Sequence, residues 1–205
     1  MTSRSLRRPT HMQTTPDLAP AAAETARIVA GVRDHQLDDA TPCPGTSVAG
    51  LLDHLVGLTT AFRMAAEKTP PPGGPSANPD DLAPDWRTKL PAQLDAVVAA
   101  WRQPGAWDGM TEAGGVTMPA GAMGLVALDE VLIHGWDLAV ATGQEYRPDA
   151  ASIQLCFDFV GDRSDEPADA NPGLFGPVVP VPDDAPLFDR LLGRTGRDPR
   201  WSPPA

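Results

Sequence analysis

Two polar side chains within one apolar stretch are the first sign of chemistry. Glu130 and His134 lie in PAGAMGLVALDEVLIHGWDLAVAT, four positions apart, which puts both on one face of an α-helix. Met123, Ala127, Val131, Leu138 and Ala141 share or flank that face. A carboxylate aimed toward a core needs a partner, because an unpaired buried charge is expensive. Three partners are open: an arginine from another helix, His134 itself through an i,i+4 hydrogen bond, or a divalent metal ion completed by His54. On a second apolar stretch, TSVAGLLDHLVGLTTAFRMAAE, His54 falls at the edge of the buried face beside Leu58. Two imidazoles and a carboxylate on two helices leave an open coordination position. That set suits Zn²⁺ first, with Ni²⁺ or Fe²⁺ as alternatives. Asp137, one turn past His134, is placed to orient an imidazole or to act as a fourth ligand.

The plain reading stands beside this one. A histidine on an apolar helix face is more often a satisfied core residue, and the E-x-x-x-H spacing is a common accident. His54 in the matching place on another helix is what favours the metal. Cys43, held between Pro42 and Pro44, reads first as a small packing residue, with a reactive thiol as the alternative. Cys43 and Cys156 are too few for a disulfide framework and read as reduced thiols of a cytoplasmic protein. Trp86, Trp101, Trp107 and Trp136 are core or loop anchors that could also line a pocket. No dinucleotide, Walker, nucleophile-elbow or cysteine-rich zinc motif is present, and the glycine pairs at 73–74 and 114–115 sit in loop contexts without a phosphate-binding signature.

Composition narrows the partners. The net charge of −11 over 205 residues disfavours nucleic acid, whose affinity comes from Lys and Arg, and anionic membranes for the same reason. No apolar run reaches the length of a membrane span. The opening MTSRSLRRPTHMQTTPD is basic without an apolar segment behind it, so residues 1–15 read as a disordered tail and not as a secretory signal. Residues 16–205 read as one domain.

The elements that must position the site are helical. Apolar spacing of three and four predicts helices over 17–36, 46–67, about 85–103 and 119–142, with a shorter one over 149–161. Thr46 or Ser47 can cap the second, Asp85 the third, and Pro119 opens the fourth, which stops at Gly143. Pro91 inside the third pattern points to a start at Leu90 with the earlier turn separate. Unbroken prolines and glycines from Pro70 to Pro75 mark a long surface crossing, and 104–118 reads as another loop. Phe175, Val178, Val179 and Val181 look like an extended strip laid on the bundle, followed by a last helix over 185–193 capped by Asp183 or Asp184. No strand alternation is evident. The fold class is therefore all-α: four main helices in a bundle with long crossover loops and an irregular C-terminal strip.

The phrases TPCPG, VAGLLDHLVG, DEVLIHGWDLAVATGQ and FGPVVPVPDDAPLFDRLLGRTGRDP together resemble one family. It is the actinobacterial DinB-like metal-binding proteins related to the N-terminal domain of mycothiol-dependent maleylpyruvate isomerase. The likeness covers about residues 17–201. It implies a DinB/YfiT-type four-helix bundle of up-down-down-up topology. It also implies a divalent metal held by three side chains, which fall on His54, Glu130 and His134. The expected partners are then a small thiol such as mycothiol and a small electrophilic substrate. The expected activity is S-transfer or isomerisation, the alternatives being a non-catalytic metal-binding or sensing bundle, or a metal-free bundle with Glu130 and His134 as a buried pair. Thr46 stands where the family commonly has Trp, and the isomerase's extra C-terminal domain is not expected here, so its substrate machinery is not assumed. A homodimer through apolar helix faces stays open.

Overall fold

The computed structural model describes residues 15–69, 77–163 and 175–204. The expected disordered tail and the Pro/Gly run from Pro70 to Pro75 fall almost wholly outside these residues. Helix α1 spans Ala19–Gly31, shorter than the spacing predicts. Its chain turns extended at Val32, and His35 sits in a separate short 3₁₀ turn, Asp34–Gln36. The stop has a partner across the bundle: Gln144 Nε2 donates to the Ile28 carbonyl at 3.0 Å, taking one of the acceptors a helix end leaves open.

Helix α2, Val48–Ala66, is capped as expected by Ser47, whose side chain accepts from the Gly50 N–H. Helix α3, Trp86–Trp101, runs unbroken through Pro91. The proline removes one backbone donor, but the turn before it is held by other means. Trp86 is buried, and Arg87 lies over its ring while donating to the Val32 carbonyl. Asp85 stands at the cap position but makes no side-chain cap bond.

The segment read as loop contains a β-hairpin, β1 Met110–Ala113 and β2 Val116–Pro119, antiparallel with Ala113 opposite Val116. Gly114 and Gly115 both take positive φ, which is what a tight two-residue hairpin turn of matching twist requires. Helix α4 follows directly, Ala120–Ala141, with Pro119 before it and Gly143 at positive φ after it. Helix α5 spans Ala150–Val160 and is capped by Asp149 onto Ser152 N–H. Helix α6 spans Leu187–Arg194, starting after Pro186 with neither Asp183 nor Asp184 as its cap.

Around the bundle, α1 packs on α3 and α4, and α2 also packs on α3 and α4. The helices that carry the candidate residues, α2 and α4, are therefore direct neighbours. The apolar stripes meet in one continuous core that includes Leu51, Leu52, Leu55, Leu90, Leu94, Leu128 and Leu132. The strip from Phe175 lies against α5 and α6. Val179 N–H donates to the Gly193 carbonyl, and Phe175 meets Phe159 edge-on. Among the described residues no helix is long and apolar enough to cross a membrane.

Candidate metal centre

His54 and His134 face each other across the α2–α4 contact, their rings perpendicular and 5.2 Å apart between centroids. Glu130 Oε2 lies 3.0 Å from His134 Nε2, as the i,i+4 spacing on α4 dictates. One donor atom from each of His54, Glu130 and His134 falls within 4.8 Å of the others. The structure thus brings together all three residues singled out in the sequence. The donor set is two imidazoles and a carboxylate on neighbouring rigid helices, with spacing and chemistry suited to one divalent cation.

The other ring nitrogen of His134 is committed. Nδ1 lies 2.9 Å from Asp137 Oδ2, and Asp137 is fully buried. The same carboxylate oxygen accepts from Arg197 Nη2 at 3.1 Å and from the Cys43 thiol at 3.2 Å. Asp137 is thus the orienter its spacing suggests, fixing the ring through a carboxylate–imidazole bond. Cys43 is not the simple packing residue of the plain reading. Its sulfur faces Asp137, stands 3.9 Å from His134 Nδ1 and 3.5 Å from Arg197 Nη2.

Burial alone would lower the pKa of His134. Hydrogen bonds to Asp137, Cys43 and Glu130 more than offset it and hold the imidazole well above its ordinary value. Burial raises Glu130, but the His134 bond and the charges of His134, His54 and Arg197 bring it below the usual carboxylate range. Asp137 is likewise pulled down against burial by Arg197 and His134. His134 thus bridges two carboxylates of α4, Glu130 at Nε2 and Asp137 at Nδ1. Asp129 behaves differently. Burial pushes its carboxyl up to about 8, with Glu130 adding to the rise.

Arg197 is the residue that sequence spacing missed. It comes from the turn after α6, 60 positions from Asp137. A buried Asp137 demands a cation, but nothing in the spacing says which arginine supplies it.

Cys43, His134 and Asp137 also bring one donor atom each within 4.8 Å. That group already holds the Arg197 guanidinium, and a second cation beside it would be repelled. Both thiols are free. None of Trp86, Trp101, Trp107 and Trp136 is part of the lining of the cavity that opens beside Glu130.

A helical bundle with a histidine–carboxylate constellation between two core helices is the class that fold and site define. The mycothiol maleylpyruvate isomerase N-terminal domain family matches residues 18–139, and the chain belongs to that family. Two uncharacterized proteins from two strains of Mycobacterium tuberculosis are each 34% identical to it over 187 residues, spanning 84% of this chain and 92% of theirs. The crystal structure of the mycothiol-dependent maleylpyruvate isomerase is similar at 16% identity and a TM-score of 0.47. That likeness covers 70% of this chain and 64% of the isomerase, just under two thirds of its length.

Proposed function

We propose that this chain binds a divalent metal through His54, Glu130 and His134 and works with a small thiol, mycothiol by family, in S-transfer or isomerisation of a small electrophile. The convergence of those three donors within 4.8 Å carries the reading. A divalent cation held there supplies the Lewis acidity that keeps a thiol sulfur ionised near neutral pH. Zn²⁺ suits the donors first, then Ni²⁺ or Fe²⁺.

The chain's own residues do the positioning. Asp137 holds Nδ1 of His134 and so aims Nε2 at Glu130 and His54. Arg197 balances the buried charge of Asp137. A metal would need Nε2 of His134 unprotonated, so metal uptake is expected to weaken as pH falls. No side chain is assigned as general base, because an ionised thiol needs none.

Metal analysis of untagged protein tests the ligand set. After stripping and reloading with Zn²⁺, the wild-type protein is expected to retain the metal, whereas His54→Ala and Glu130→Ala lose it with their helical circular dichroism intact. Unchanged metal content in both variants refutes the assignment. Protein loaded with Co²⁺ and titrated with mycothiol is expected to develop a thiolate-to-cobalt charge-transfer band. Retained cobalt without that band turns the reading to a non-catalytic metal-binding or sensing bundle.

A further inference from the structure

Beside Glu130 lies a cavity of about 380 Å³ between α2, α4 and the hairpin. Its walls are Leu58, Ala61 and Phe62 from α2, Met123 and Val126 from α4, and Val116 and Met118 from β2 among others. Among the described residues, Glu130 is the one ionisable group in the lining, and no Lys or Arg is part of it. The volume is toward the lower end of the 300–1,000 Å³ typical of small-molecule sites. Val116, one of the walls, is 53% exposed, so the cavity meets solvent along an apolar hairpin edge. The hairpin is anchored from beneath, where Thr111 Oγ1 donates to the Ala65 carbonyl.

We infer that this cavity binds a neutral, largely apolar small molecule with its long axis between the hairpin and Glu130, and that a dicarboxylate is excluded. The argument is one of charge. A dianion could place one carboxylate toward a cation at the triad. The other would then lie against Leu58, Phe62, Met123 and Val126 with no cationic side chain among the described residues to meet it, and an unpaired charge held against apolar walls is costly. The single charged wall group, Glu130, carries the same sign. A neutral apolar body meets no such penalty, and Met118 and Met123 give two walls that adapt to its outline. That the occupant is the electrophile of the reaction rests on the function proposed above; its binding does not.

Fluorescence titration with N-phenyl-1-naphthylamine, a neutral probe, tests the inference in metal-loaded and chelator-stripped protein. Saturable binding is expected in both. Val116→Asp, at an exposed wall where folding is not at stake, and Ala61→Trp, which fills the cavity, are each expected to weaken it about tenfold or more, equivalent to about 1.4 kcal/mol. Naphthalene-2,6-dicarboxylate is expected not to displace the probe. Absence of saturable binding, displacement by the dicarboxylate, or wild-type binding in both variants overturns the inference. Loss of metal retention with probe binding intact refutes the metal reading and leaves the cavity inference standing; metal retention without probe binding does the reverse.

Discussion

The two sides of the His134 ring are built differently. On the Nε2 side stand His54 and Glu130, each partly accessible, next to an apolar cavity that meets solvent. On the Nδ1 side, Asp137 is fully buried and one of its oxygens gathers His134, Arg197 and Cys43. Both sides begin with a carboxylate on α4, at i−4 and i+3 from the histidine. What separates them is the arginine. With Arg197 in place, the Nδ1 side is neutralised and closed, and its function is to hold the ring. Among the described residues no arginine bonds the Nε2 side, which opens instead beside the cavity, and that suits it to exchange a cation and a ligand.

The strongest way to break this contrast is to remove the arginine. Arg197→Ala leaves Asp137 as a buried carboxylate facing only His134 and Cys43. Loss of one partner of a buried pair costs about 3–5 kcal/mol when the other charge is left uncompensated, and the His134 bond that remains makes that the ceiling of the fall expected in urea denaturation. A loss below about 1 kcal/mol, the range of exposed pairs, would mean the Nδ1 side is not held by this ion pair.

Asp129 sharpens the contrast, because it is a buried acid on the same helix without an arginine bonded to it. Its Oδ1 has no hydrogen-bond partner among the described residues. The carboxyl is raised from 3.8 to about 8 by burial, so across that window the folded chain holds a proton that the unfolded chain has lost. Rising pH then favours unfolding, by up to about 1.4 kcal/mol per pH unit. Asp129→Asn removes this titration, and its stability relative to the wild-type protein is expected to climb from pH 5 to pH 8. Parallel stability curves for the two proteins would show that Asp129 ionises freely in the fold.

The smallest effect is expected at Cys43. Cys43→Ser keeps a donor for Asp137 Oδ2, so the change in stability should stay within about 1 kcal/mol, the net worth of one hydrogen bond. A much larger loss, measured by thermal unfolding, would show that the sulfur itself carries the contact with His134 and Arg197.

The long helices were legible because their apolar residues recur at three and four, and each of these stripes meets another. His54, Glu130 and His134 were legible for the same reason: a polar residue stands out on an apolar face. The hairpin was not, since four residues per strand give too little alternation, and its one strong signal was Gly114–Gly115 set between Thr111 and Thr117. The continuity of α3 through Pro91 depends on the burial of Trp86, a tertiary contact that local rules do not weigh. Arg197 and the polar setting of Cys43 depend on chain closure over 60 and 154 positions, and spacing carries no information at that range.

That closure also orders events in time. The pairing of Glu130 with His134 needs nothing beyond one turn of α4 and can form as soon as that helix winds. The same holds for the pairing of Asp137 with the opposite nitrogen, three positions on; only the Arg197 contact waits for the segment after α6 to dock, a closure over 60 positions that is entropically less favourable. One helix thus carries both carboxylates that hold the ring, and the distant part of the chain contributes the arginine that balances one of them.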